Sequence, residues 1–126
     1  MSRVRQKDTK PEMVVRSALH GMGFRFRLHR RDLPGTPDIV LPRYRKVVFV
    51  HGCFWHQHEG CRRASRPATN IEFWNRKLDA NMVRDALVAA QLRALGWEPL
   101  VVWQCATRDM AGLRAALSEL IAGKEA

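Results

Sequence analysis

The chain is short of acid. Its 126 residues carry 12 Asp and Glu against 22 Lys and Arg, a net charge of +10, and the isoelectric point is near 10.8. That imbalance in so small a domain favours a polyanionic partner, and nucleic acid is the usual one. A basic surface kept only for solubility explains the charge less well, because the arginines cluster: Arg25, Arg27, Arg30 and Arg31, then Arg43 and Arg45 beside Lys46, then Arg62, Arg63 and Arg66. Cysteine is also scarce. Three cysteines, an odd count, argue against a disulfide framework and leave burial or metal ligation. Long apolar runs are missing: nothing approaches membrane-spanning length, and the N-terminus has no signal-peptide core. A cytoplasmic, nucleoid-associated protein without a membrane partner is therefore expected. There is no internal repeat and no low-complexity segment. With 46% hydrophobic residues, the length suits a single domain over residues 1–126.

What is present concentrates in residues 47–61, VVFVHGCFWHQHEGC. The run opens as β-branched and aromatic residues, the composition of a buried strand. It then gathers His51, Cys53, His56, His58 and Cys61, with Phe54 and Trp55 between them. A strand that feeds directly into such a loop delivers chemistry to the end of a sheet.

The remaining chain reads as support for that loop. Residues 1–8 are a polar, basic arm. Thr9, Pro11 and Glu12 have the pattern of a helix start with a capping box, and the helix stops near Gly21 or Gly23. Residues 24–28 alternate with period two, as a strand with one apolar face. A Pro- and Gly-containing loop leads to Asp38, a short strand over 39–41, a turn over 42–45 and a return strand over 46–50. If these two strands pair as a hairpin, Asp38 lies beside the Val50–His51 end. Thr69 to Glu72 is a second capping-box pattern before a long helix ending at Gly96. Residues 99–103 form another strand, with Cys105 just past it, and Asp109 can cap a last helix. The order is α-β-β-β-α-β-α.

Cys53, His58 and Cys61 supply three metal-capable side chains in nine residues, and Cys105 is the one cysteine left. Zinc in structural sites takes four such ligands, so Cys53, His58, Cys61 and Cys105 form the economical set; on spacing alone His56 could replace His58. Asp38 is the only acid between Asp32 and Glu59. An acid at a strand end near histidines suggests a hard-cation site such as Mg²⁺, against the plain alternative of a turn aspartate. Phe54, Trp55 and Trp74 are either core or wedges for base steps, while Trp97 and Trp103 read as core. Glu12 reads as a capping residue and Asp85 as a solvated helix residue. His20 and His29 carry no signal.

Several blocks taken together, Lys7 to Glu12, Leu33 to Asp38, His51 to His56, Glu72 to Trp74 and Val102 to Cys105, resemble the very-short-patch-repair (Vsr) mismatch endonucleases over nearly the whole chain. The resemblance implies an α/β fold with a variant PD-(D/E)xK restriction-endonuclease-like core: a mixed sheet flanked by helices, with a structural zinc. It implies nicking of one DNA strand 5′ to the T of a T·G mismatch. It places Asp38 and the main-chain carbonyl of Val50 at Mg²⁺, and His51 and His56 in the active site, with His56 as general base and His51 organising metal-bound water or phosphate. Glu12 and Asp85 become acids near that site. Cys53, His58, Cys61 and Cys105 become zinc ligands. Phe54, Trp55 and Trp74 become intercalating aromatics, with Met1 as a wedge on the arm. Double-stranded DNA with a T·G mismatch is the implied partner of a monomer, and mismatch-repair proteins are further candidates. The chain departs from the family in two respects: the spacing between His58 and Cys61 is one residue longer than the usual form, and the arm over residues 1–8 is short, which predicts weaker grip or selectivity. The ExK half-motif is absent after Asp38, as it is in the family generally. A zinc-stabilised DNA-binding module without catalysis, and a related nicking enzyme of relaxed specificity, are the competing readings.

Overall fold

The computed structural model describes residues 9–122; the arm over residues 1–8, with Met1, lies outside them. The first helix, α1 (Lys10–Gly21), begins where Thr9 Oγ1 accepts a hydrogen bond from the Glu12 N–H at 3.3 Å. Pro11 occupies the first turn, where a missing N–H costs nothing. The helix closes when the Phe24 N–H reaches back to the Leu19 carbonyl at 3.0 Å.

Four strands follow in the sheet order β1-β2-β3-β4: β1 (Arg27–Leu28), β2 (Ile39–Leu41), β3 (Lys46–His51) and β4 (Glu98–Trp103). The first three pair antiparallel and β3 pairs parallel with β4. A parallel pair requires a crossover, and the long helix α2 (Ile71–Ala94) provides it. The last helix is α3 (Met110–Ala122).

Alternation along β2 and β3 sends side chains to two layers. Ile39, Leu41 and Val48 face Val15 and Leu19 of α1 and Leu113, Leu117 and Ile121 of α3. Val40 and Val47 face Leu92 of α2, Trp97 and Leu33. With both faces covered, the strands read as continuous apolar runs. Lys46 opens β3 almost wholly buried, and its Nζ donates to the Leu120 carbonyl at 3.3 Å and to the Ile121 carbonyl. It thereby satisfies the end of α3, where a cation is favoured.

The element order matches the sequence reading, with local corrections. The strand expected over residues 24–28 shrinks to Arg27–Leu28. Its partner β2 ends at Leu41, before Pro42, which has no N–H to continue the ladder. Phe24 and Phe26 still pack on the core, whereas Leu28 is exposed. The capping box at Thr69 to Glu72 does not form: Asn70 is the N-cap in a left-handed conformation, without a side-chain cap bond. Along α2, Leu78 and Leu92 are buried and Met82 is exposed. Only the second half of α2, through Val88 and Leu92, packs on the sheet. Its first half runs past the sheet beside the His/Cys loop.

Candidate active site and metal centres

The β2–β3 hairpin brings Asp38 beside the end of β3. Asp38 Oδ2 accepts the Val50 N–H at 2.8 Å, so one carboxylate oxygen is anchored to the strand that carries the Val50 carbonyl. The loop before Asp38 owes its shape to Gly35. The Thr36 N–H bonds the Leu33 carbonyl at 3.1 Å, and Gly35 has φ +74°; a Cβ there would stand 2.5 Å from Val88 Cγ1 and 3.3 Å from the Phe49 ring. Only glycine meets both demands. Burial pushes the Asp38 carboxyl up to about 6, although the Val50 N–H pulls the other way; Glu12 nearby raises it further, and His29 and His56 lower it.

Glu12 is 1% exposed. Its Oε2 takes the Arg16 guanidinium at 2.5 Å and His29 Nε2 at 2.8 Å. Glu12 is thus a buried acid turned toward Asp38, not only a helix-capping residue. One ligand atom each from Glu12, His29 and Asp38 lie within 4.8 Å of one another. The sequence reading passed over His29. Its signal was register: Leu28 pairs with Ile39, so the next rung sets His29 against Asp38, and the His29 N–H does donate to the Asp38 carbonyl at 3.2 Å.

His51 ends β3 and His56 follows in the loop. Their rings stack at 3.7 Å, 6° from parallel. His56 Nδ1 bonds Asp85 Oδ2 of α2 at 2.6 Å, so Asp85 is no free solvated acid. Burial, followed by the adjacent His56, lowers His51 to about 4, against a small opposing pull from Asp85. His51 is neutral at neutral pH, and its buried Nδ1 has no hydrogen-bond partner among the described residues. The His56 ring is oriented by a carboxylate on one nitrogen, which leaves the other to exchange a proton.

The loop places Cys53, His58, Cys61 and Cys105 with their ligand atoms within 4.8 Å of one another. The structure brings His58, not His56, to the three cysteines. Cys105 Sγ lies 3.5 Å from His58 Nδ1, close to the roughly 3.5 Å that tetrahedral zinc with ordinary Zn–S and Zn–N bonds imposes. Three thiols and an imidazole in that geometry fit a structural zinc. A backbone N–H at Arg63 is the main influence lowering the Cys61 thiol. Burial, with Cys53 and Cys61 alongside, pushes Cys105 up to about 11. Trp103, expected to be core, belongs to the site: it stacks on His58 at 4.2 Å and meets His51 edge-on at 5.4 Å. It thereby joins the cysteine cluster to the histidine pair.

Phe54, Trp55 and Trp74 gather into one partly exposed cluster, with ring centroids 5.1 to 6.0 Å apart. Phe73, in the sequence only a motif neighbour of Trp74, extends it, 51% exposed and 5.1 Å from Trp74. The loop is pinned to α2 from several sides. Asn81 Nδ2 donates to the Trp55 carbonyl at 3.1 Å, and Arg66 spans Gln57, Asn75 and Asp79.

A family model described as DNA mismatch endonuclease Vsr matches residues 1–63. The chain is also 41% identical over 131 residues to the DNA mismatch endonuclease Vsr of Escherichia coli, covering all of this chain and 83% of that one. The chain belongs to the Vsr family. Other relatives carry the name type II nicking enzyme. V.XorIIP of Xanthomonas oryzae pv. oryzae is 53% identical over 96% of this chain and 88% of its own length. V.NmeAIP of Neisseria meningitidis is 40% identical over 96% of this chain and 86% of its own. This Vsr-family chain is a DNA endonuclease. Among its described residues no helix is long and apolar enough to cross a membrane.

Proposed function

We propose that this protein nicks one strand of duplex DNA 5′ to the T of a T·G mismatch, in very-short-patch repair, with Mg²⁺ at the active site and zinc in a structural role. The observation that carries the reading is the meeting of Asp38 and the end of β3 with the oriented His56–Asp85 pair, one loop away from a partly exposed aromatic cluster. The four-stranded mixed sheet between helices supports a variant PD-(D/E)xK core in which Asp38, after Pro37, stands immediately before β2. Asp38 and the Val50 carbonyl would hold Mg²⁺, which when bound supplies positive charge to the scissile phosphate and the leaving oxygen. Asp85 holds the His56 ring so that its free nitrogen takes the proton of the attacking water. Neutral His51 packs flat against His56 and fixes that ring's plane. Phe54, Trp55 and Trp74 enter the base stack beside the mismatch, where unstacking is cheapest.

A plasmid carrying a single T·G pair tests the reading. Incubation with Mg²⁺ should convert supercoiled to open-circular DNA without linear product, and Asp38→Asn should abolish this while DNA binding persists. Binding without any nicking would leave a zinc-stabilised binding module. Equal nicking of a matched plasmid would leave an enzyme of relaxed specificity.

A further inference from the structure

We propose that His29 is a nitrogen ligand in the catalytic cation site, joining Glu12 and Asp38, and that it moves the site's preference away from Mg²⁺ toward cations that accept nitrogen, such as Mn²⁺. The proposal rests on Asp38 as a cation ligand and adds two residues, Glu12 and His29, and a cation preference to that reading. The ligand atoms of Glu12, His29 and Asp38 lie within 4.8 Å of one another. Octahedral bonds of about 2.1–2.2 Å put opposite ligands a little over 4 Å apart, so one ion closes this triangle with little movement. The backbone presents the ring deliberately. His29 is non-glycine at φ 48°, immediately after β1, and its N–H is bonded to the Asp38 carbonyl at 3.2 Å. That rung fixes the imidazole beside the Asp38 carboxylate. From the other side Nε2 meets the buried Glu12 carboxylate at 2.8 Å, so the ring points into the acid pair.

Charge supports a dication there. Arg16 pairs with Glu12, and a divalent ion adds positive charge where a phosphodiester must approach. The donor set decides which ion. Mg²⁺ demands oxygen and sheds water reluctantly, whereas an imidazole nitrogen raises affinity along the series from Mn²⁺ toward Co²⁺. The plainer alternative is that His29 only satisfies the buried Glu12 carboxylate. Glutamine can do that through its amide without offering a ring nitrogen, which separates the two roles.

The test uses zinc-loaded protein and Mn²⁺ alone as probe. Pulsed electron paramagnetic resonance of the Mn²⁺ complex should show coupling to a directly bound ¹⁴N, and that coupling should disappear in His29→Gln. In parallel titrations, His29→Gln should weaken Mn²⁺ binding about tenfold or more, the usual effect of altering a metal's shell, while Mg²⁺ binding changes much less. A wild-type spectrum without nitrogen coupling overturns the proposal whether or not the variant folds. Coupling that persists in His29→Gln overturns it too, because the nitrogen then comes from another histidine. An unchanged ratio of Mn²⁺ to Mg²⁺ affinity has the same meaning. None of these readouts requires cleavage, so a failure of the mismatch-nicking reading would be seen separately, in the plasmid assay.

Discussion

On the proposed reading, proton and cation compete for the Asp38 carboxylate. Burial pushes it up to about 6, so at pH 6 without added Mg²⁺ much of it is protonated and unable to hold a cation. At limiting Mg²⁺ the nicking rate should therefore rise with pH through about 6, and saturating Mg²⁺ should move that rise to lower pH, because metal binding releases the proton. A midpoint that ignores Mg²⁺ concentration would remove Asp38 from the cation site. The same shift has a stability sign. The folded-state value lies above the ordinary one, so the favourable contribution of the protonated form is complete below about 4 and is lost as pH rises through about 6. Without added Mg²⁺, Asp38→Asn should thus raise the melting temperature at pH 8 and change it little at pH 4. The histidine pair makes a second prediction. His56→Ala should lower the single-turnover rate by about 100-fold or more, the usual worth of a placed acid–base group, with Asp85→Asn impaired in the same sense and DNA affinity preserved in both. Rates within a few-fold of wild type would deny His56 the role of base. His56 was legible as a candidate because it stands in a dense local pattern, and Asp38 because it is a lone acid that the expected hairpin sets beside the end of β3. The His56–Asp85 and Glu12–His29 contacts were not, since residues 29 and 17 positions apart meet only once the helices have docked.

At the scale of elements, the loop between β3 and α2 links the Cys/His cluster, the aromatic cluster and the His51–His56 pair. Cys105 enters from the far end of β4, so zinc would staple the loop to the sheet. Cys105→Ser should lower bound zinc and melting temperature together, because metal binding and folding are coupled; a variant that melts like wild type, in a protein purified without zinc, would dismiss the four-ligand set. Trp55 lies between Cys53 and His56, with its carbonyl tied to Asn81, so its position is fixed relative to the catalytic centre. Trp55→Ala should reduce cleavage of mismatched DNA far more than nonspecific binding, and should narrow the preference for T·G over matched duplex. A folded, zinc-loaded Trp55→Ala protein with wild-type rate and preference would make this ring mere packing. Element order was readable because period-two and helical patterns, with their glycine and proline punctuation, are local. The failed capping box at Asn70, the truncated β1 and the exposed Met82 were not readable. They depend on where α2 crosses the sheet and on Pro42 cutting short the partner strand.

For the whole molecule, the charge of +10 and the active centre divide the work. Arginines such as Arg25, Arg27 and Arg43 are exposed and attract any duplex, with an affinity that falls steeply with salt. On the proposed reading, discrimination comes from the aromatic cluster and the geometry at Asp38. The sheet flanked by helices was foreseeable from the family resemblance, whereas which apolar residues fill each of its two layers was not. The most direct measurement is single-turnover cleavage of end-labelled duplexes, identical except for one pair: T·G, matched C·G, and the A·C mismatch, each with Mg²⁺. The account predicts one cut, on the T strand, immediately 5′ to the mismatched T, at a rate far above that of the other two duplexes. Equal rates on all three, or cutting of both strands, would contradict it.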